Sequence, residues 1–291
     1  MAERIVIESM PREYEVACTS DWHLGARAHH DGAREALLDW VLAKRNRFLD
    51  FGGDLIEGKS VSSKHFEPDA LHPGLVTIEQ QVDRAVEVLR RVKDRILALR
   101  YGNHDIALKR DFDVVRVLCE RLGIEHRRGG YQTWLDLGGL RLFGFHGRRS
   151  MPRGAKDPIQ RDANQRAWLV NELAPLAGDR HVMLMGHVHS LLVQPPVEQY
   201  QLLDGPDGIR ARYFVQTESP VVTRDAASAT DTRVMVPTQS RWYGCTGTLR
   251  RSGGFGYIDY AEVGGYPPSP IGWLTMRVEG DRCVDLRKVV V

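Results

Sequence analysis

CTSDWHLG, residues 18–25, closes a short β-prone run, YEVACT (14–19), and sets an aspartate and a histidine two positions apart at its end. Asp21 and His23 therefore stand where a strand gives way to a loop. The same arrangement recurs along the chain. FLDF (48–51) runs into GGD, ending at Asp54, and RILALRY (95–101) runs into GNHD, which supplies Asn103, His104 and Asp105. QTWLDL and LRLFGF, parted by Gly138 and Gly139, read as a hairpin that ends at His146. HVMLM (181–185) leads into GHVH, with His187 and His189. Each motif sits just past the C-terminal end of a predicted strand, where open α/β sheets build their sites.

Helical periodicity fills the intervals. Leu37, Leu38, Val41 and Leu42 share one face of a helix over 32–45. A longer helix covers 77–93 with Thr77 as its N-cap, and others cover 112–122 and 164–177. The last hundred residues read differently. They are turn-rich, with short β-prone runs such as RYFVQT, RWYGCTGT, FGYIDYAEV and GWLTMRV. The expected division is a core over 1–190 and a β-rich portion over 191–291, completing a second sheet or forming a lobe beside the site.

Hydrophobic residues make up 42% of the 291 and charged residues 27%, so the chain can bury a full core. A formal net charge of +2 is too small for a protein that coats nucleic acid over a wide surface, so any such contact must be a local patch. Cys18, Cys119, Cys245 and Cys283 are widely separated and form neither a disulfide framework nor a thiolate zinc site, which fits a reducing compartment. The charged N-terminal run and the lack of a long apolar stretch predict a soluble, cytoplasmic protein with no membrane segment.

Taken singly, a D-x-H or H-x-H at a strand end is more often a capping pair than a metal site. Together, five strand ends deliver carboxylate, imidazole and amide donors. That set suits divalent manganese, iron, zinc, cobalt or nickel.

The five signatures DWH, GGD, GNHD, FHG and GHVH, in this order, resemble the calcineurin-like metallophosphoesterase superfamily over residues 21–189. The resemblance implies an α/β fold, a four-layer αββα sandwich, with two divalent metal ions, manganese first among them. It implies Asp21, His23 and His189 as ligands of one metal, Asn103, His146 and His187 as ligands of the other, and Asp54 as the bridging carboxylate. His104 matches the family's non-ligand catalytic histidine and Asp105 the neighbour that orients it. Two such cations share a bridging water and lower its pKa, so that hydroxide attacks phosphorus while His104 serves the leaving oxygen.

The substrate is read from the surroundings. CTSDWHLG is most similar to the first motif of Mre11/SbcD-type DNA exonucleases, and the general layout is similar to phage-type metallophosphoesterases. GGDLIEG lacks the Asp-Arg of Ser/Thr protein phosphatases, and GNHD keeps the histidine that lipid A precursor hydrolases replace. A nuclease acting on DNA or RNA is the leading expectation. A small-molecule phosphoesterase for cyclic or other nucleotides is the alternative, and a non-catalytic binding scaffold is a third reading that the filled ligand set disfavours. Arg148, Arg149, His65 and His72 are the candidate substrate contacts. His29 and His30 read as exposed, and Trp22 as a packing residue.

Overall fold

Alternate residues of strand β2 (Glu13–Thr19) belong to different cores: Tyr14, Val16 and Cys18 to one, Ala17 to another. A strand buried on both faces must lie between two covering layers. In the computed structural model, which describes residues 2–59, 67–152, 154–197, 199–206, 208–214, 219–225, 228–253, 265 and 267–291, those layers are helices on one side and a second sheet on the other.

The first sheet has the order β15-β14-β2-β3-β4. β3 (Arg47–Phe51) and β4 (Ile96–Leu99) run parallel to β2, whereas β14 (Gly272–Glu279) and β15 (Arg282–Val290) add antiparallel strands on the other side. The second sheet has the order β1-β5-β6-β7-β13-β8. It comprises β1 (Ala2–Ile7), the hairpin β5 (Gln132–Leu137) and β6 (Leu140–Phe145), β7 (Val182–Met185), β13 (Trp242–Thr246) and β8 (Leu191–Gln194). Val16 and Met276 of the first sheet meet Leu135, Leu142 and Leu184 of the second in the central core.

Outside the first sheet lie α1 (Asp31–Leu42), α2 (Ile78–Arg90) and α4 (Val114–Leu122), which bury Leu37, Val86 and Leu118 against Leu49 and Phe51. Outside the second lies α5 (Pro158–Leu173), whose Leu169 and Leu173 pack on Phe143 and Met183. The layers are therefore helix, sheet, sheet, helix, the αββα sandwich expected. The short α3 (Asn103–Leu108) leaves the end of β4. Two antiparallel ribbons, β9 (Gln199–Leu203) with β10 (Arg210–Phe214) and β11 (Ser219–Asp225) with β12 (Ser228–Met235), complete the described elements. Among the described residues, no helix is long and apolar enough to cross a membrane.

Local signals account for most boundaries. Thr77 Oγ1 accepts the Gln80 N–H at 3.2 Å while Gln80 Oε1 accepts the Thr77 N–H at 3.0 Å, a reciprocal capping box that fixes the start of α2. Helix α5 begins six residues before the expected 164. Asp157 caps it by accepting the Gln160 N–H at 3.0 Å, and Pro158 at the first helical position has its φ already set.

A buried ion pair joins β3 to the residue that follows β4. Arg100 Nη1 donates to Asp50 Oδ2 at 2.9 Å, Nη2 lies 2.8 Å from Oδ1, and both side chains are about fully buried, at 1% and 2% exposure. Removing one partner strands a charge. Arg100→Met is expected to lower unfolding free energy by about 3–5 kcal/mol in urea titration, and a loss below about 1 kcal/mol would contradict that reading.

Candidate metal centre

Among the described residues, the non-glycine positions with positive φ are Asp21 (53°), His23 (50°), Asp54 (55°), His187 (69°) and His189 (51°). All belong to the expected ligand set. The left-handed region costs roughly 1–2 kcal/mol for a residue with a Cβ, so five such residues at the ends of three strands concentrate backbone strain of the kind that clusters at functional sites. The loops also pass very close together. Gly53, at φ 102°, lies against the Gly102 backbone, and a Cβ on Gly102 would overlap the Asp54 carboxylate.

The side chains gather in two adjoining groups. In the first, His23 Nε2 and His189 Nε2 are 3.2 Å apart, and Asp21 Oδ1 lies 3.3 Å from His189 Nε2. In the second, Asn103 Oδ1 meets His146 Nε2 at 3.0 Å and His187 Nδ1 at 2.7 Å, and Asp54 Oδ2 lies 3.2 Å from His146 Nε2. Asp21 Oδ1 also lies 3.9 Å from both His23 Nε2 and His146 Nε2, so this oxygen touches both groups. It is buried, and among the described residues no hydrogen-bond donor is aligned to it. Its carboxylate partner, Oδ2, accepts the His187 N–H at 2.9 Å and the Ser20 hydroxyl.

A buried oxygen without a donor is costly unless a cation satisfies it. The donors Asp21, His23 and His189, and likewise Asp21, Asp54 and His146, lie within 4.8 Å of one another. The residues present therefore fit divalent metal, through oxygen and nitrogen donors.

The rings are held from behind. His146 Nδ1 donates to the Gly52 carbonyl at 2.8 Å, and His104 Nδ1 donates to the Glu57 carbonyl. A carbonyl can only accept, so both rings carry hydrogen on Nδ1, leaving Nε2 of His146 for the site. His23 Nδ1 meets Glu57 Oε2 at 3.0 Å, which turns Nε2 towards Asp21 and His189. GGDLIEG carries no local signal for Glu57. It supports His23 with its carboxylate and His104 with its backbone, and Lys59 pairs with it at 2.9 Å. Carboxylates behind ligating imidazoles typically change metal affinity about 10–100-fold when removed. Glu57→Gln is accordingly expected to weaken metal binding by about tenfold or more in calorimetric titration; unchanged affinity would leave Glu57 a packing residue.

The protonation pattern follows the same contacts. Burial would raise the Asp21 carboxyl, but His146, His189 and His23 hold it well below the usual carboxylate range. Burial opposes charge on His146, yet Asp54 and Asp21 push it up to about 9. Burial lowers His23 to about 4, against the pull of Glu57. His104 is raised, since Asp54 and Glu57 outweigh its burial.

Asp105 departs from expectation. Its Oδ2 accepts the N–H groups of Gly102 at 2.8 Å and of Asp54 at 3.1 Å, while the His104 ring is held by Glu57 instead. Asp105 thus fixes the turn that carries Asp54 and Asn103 and does not orient His104. Burial, with Asp54 adding to it, pushes its carboxyl up to about 6.

Arg149 is drawn away from the centre to Glu172, at 3.0 Å. Arg148 is exposed and follows Gly147, whose carbonyl accepts the Tyr131 hydroxyl. The Tyr131 ring lies 5.7 Å from that of His146, and Arg148 stands two residues after His146 in the chain. His72 is exposed and bonds within its own loop, and His65 lies outside the described residues. His29 is buried, not exposed: Nδ1 donates to the Trp22 carbonyl at 2.7 Å, and Nε2 accepts from Arg34 Nη1 at 3.2 Å. Trp22 is packed edge-on to Phe51, as expected.

The last hundred residues reach the centre directly. Thr246 Oγ1 meets Ser20 Oγ at 2.7 Å, and Ser20 binds Asp21. Thr248 Oγ1 and the Leu249 N–H both donate to the Asp21 carbonyl, at 2.7 and 3.2 Å. The segment after β13 therefore clasps the loop that carries the first two ligands.

No protein-family model matches the chain. No curated protein matches it either. Solved structures share its outline distantly. A phosphoesterase from E. coli, YfcE, is 14% identical over 94% of this chain and 98% of its own, with a TM-score of 0.40. PhoD is 11% identical over 97% of this chain and 69% of its own, with a TM-score of 0.35. Both likenesses are remote, and neither assigns a function here.

Proposed function

We propose that the chain is a metal-dependent phosphodiesterase that cleaves nucleic-acid strands. The observation that carries this reading is Asp21 Oδ1, a buried oxygen with no aligned donor among the described residues, facing imidazole nitrogens of both groups. Asp21, His23 and His189 would hold one divalent cation, manganese first among the candidates. Asn103, His146 and His187 would hold a second, with Asp54 between them. When bound, such ions polarise a phosphoryl oxygen and activate water as the nucleophile.

The chain's own residues supply the rest. His104, held through Nδ1, has Nε2 as the ring atom able to exchange a proton with the leaving oxygen. Asp105 and Ser20 keep Asp54 and Asp21 in place through the backbone N–H of Asp54 and the Asp21 carboxylate. Arg148, exposed and two residues after His146, would pair with phosphate oxygens. The similarity of CTSDWHLG to nuclease motifs favours a polymer over a free nucleotide.

The test is a panel of bis(p-nitrophenyl) phosphate, cyclic nucleotides, and single- and double-stranded DNA and RNA, assayed with manganese and after chelation. Cleavage of a polymer, abolished by EDTA and restored by manganese, is expected. Hydrolysis confined to nucleotides would replace the substrate assignment, and no hydrolysis of any ester would overturn the reading.

A further inference from the structure

Gln81 is fully buried near the start of α2, beside Val82, Ala85 and Val86 of the core. A buried amide is costly unless its polar atoms are bonded. Both are: Oε1 accepts the Gly58 N–H at 2.9 Å, and Nε2 donates to the Leu75 carbonyl at 3.0 Å. The fit is close, since a Cβ on Gly25, at φ 101°, would overlap the Gln81 side chain. Packing alone would be served as well by leucine or methionine, so the amide calls for a reason.

The bond to Gly58 supplies one. The Gly58 N–H is one end of a peptide unit whose other end is the Glu57 carbonyl, and that carbonyl accepts from His104 Nδ1. In a trans peptide the C=O and N–H are coplanar and point in opposite directions. A single rigid unit therefore lies between Gln81 and the histidine ring, in the order Gln81 Oε1, Gly58 N–H, Glu57 C=O, His104 Nδ1–H. Turning that peptide would break both bonds at once. Hydrogen bonds in series also polarise one another, so the bond to Gln81 makes the Glu57 carbonyl a better acceptor.

The surroundings hold the unit in place. Gly58 has φ 64°, and a Cβ there would lie 3.6 Å from His104 Cβ, so this turn packs directly on the histidine. On the other side, the Glu57 N–H donates to the Leu24 carbonyl at 2.9 Å.

We infer that Gln81 is a positioning residue for His104, acting through the Glu57–Gly58 peptide to hold the ring with hydrogen on Nδ1 and Nε2 turned to the leaving oxygen. The role in catalysis rests on the proposed function, whereas the hydrogen-bonded chain needs neither metal nor substrate.

The experiment uses the manganese-loaded full chain with Gln81→Met, which keeps the length of the side chain and removes both bonds, and Gln81→Glu, which keeps an oxygen acceptor for Gly58. The kinetic readout is the ratio of kcat/KM for a short single-stranded oligonucleotide to kcat/KM for bis(p-nitrophenyl) phosphate. A general loss of fold or metal lowers both terms, whereas loss of proton delivery lowers the ratio. The ratio is expected to fall about tenfold in Gln81→Met, within the roughly hundredfold that a 1 Å misplacement costs, and to be largely retained in Gln81→Glu. In a His104→Ala background, Gln81→Met should change the ratio no further. An unchanged ratio in Gln81→Met, or an equal fall with and without His104, overturns the inference.

Histidine-selective ¹⁵N NMR reads the ring itself, on the chain loaded with zinc because zinc is diamagnetic, and His104→Ala assigns the signal. The wild type is expected to show a proton on His104 Nδ1 whose resonance moves in both Gln81 variants. A resonance that neither substitution moves overturns the inference, and Gln81→Glu keeps this arm decisive should the methionine variant not fold. Should the wild type hydrolyse neither ester, the proposed function fails, and the NMR arm still decides whether Gln81 governs the ring.

Discussion

Asp54→Asn is expected to lower kcat/KM for every ester the protein hydrolyses by at least about a thousandfold, corresponding to about 4 kcal/mol of lost metal-assisted stabilisation. The reason is local. Asp54 Oδ1 accepts the His104 N–H at 2.9 Å, and Oδ2 faces His146 Nε2 at 3.2 Å. An asparagine must keep its carbonyl oxygen where Oδ1 stands, because an amide NH₂ there would oppose the His104 N–H. Its NH₂ is then forced into the Oδ2 position, turning an anionic oxygen into a donor that cannot ligate a cation. The backbone bond from Asp54 N–H to Asp105 survives, so the fold should be retained. Steady-state kinetics, with circular dichroism as the fold control, checks this. Activity within about tenfold of wild type would remove Asp54 from the centre.

His104→Ala is expected to separate proton chemistry from metal binding. Positioned acids contribute about 10²–10⁴-fold, and most where the leaving group is a poor one. The alkoxide leaving a nucleic-acid strand needs a proton, whereas p-nitrophenolate leaves readily without one. Oligonucleotide cleavage should therefore fall about a thousandfold, with bis(p-nitrophenyl) phosphate hydrolysis falling about tenfold or less. Metal content should not change, since the His104 ring is bonded to the Glu57 carbonyl. Equal losses on both esters would assign His104 to phosphate binding, and a loss of metal would make it a ligand.

The strand-end motifs were legible because their signal is local. Asp21, His23, Asp54, Asn103, His146, His187 and His189 each follow a short apolar run, and the structure brings all seven together. Thr77 declared the start of α2 through its capping box for the same reason. Long-range partnerships left no such trace. Strand β1 is held at the sheet edge by parallel pairing with β5, about 130 residues away, and MAERIVIESM carries too many charges to announce it. The Thr246–Ser20–Asp21 chain joins residues 226 apart, so RWYGCTGT reads only as a strand with a turn.

Two readings failed because near neighbours in sequence are not neighbours in space. Asp105 follows His104, yet the start of α3 turns its carboxylate onto the backbone of Gly102 and Asp54. His29 sits in a polar run, yet the clasp from Leu249 and Arg251 presses its loop inward until the ring is buried. Burial of a loop residue depends on what covers it, and the cover here arrives from the other end of the chain.

The claim on which the rest depends is that these strand ends hold two cations. Anomalous X-ray diffraction from manganese-soaked crystals tests it most directly. The expected result is two peaks about 3.5–4 Å apart, one within ligand distance of Asp21, His23 and His189, the other within ligand distance of Asn103, His146 and His187, and Asp54 touching both. Absence of any peak there, or a cation held instead by His23, Glu57 and His104, would contradict the account.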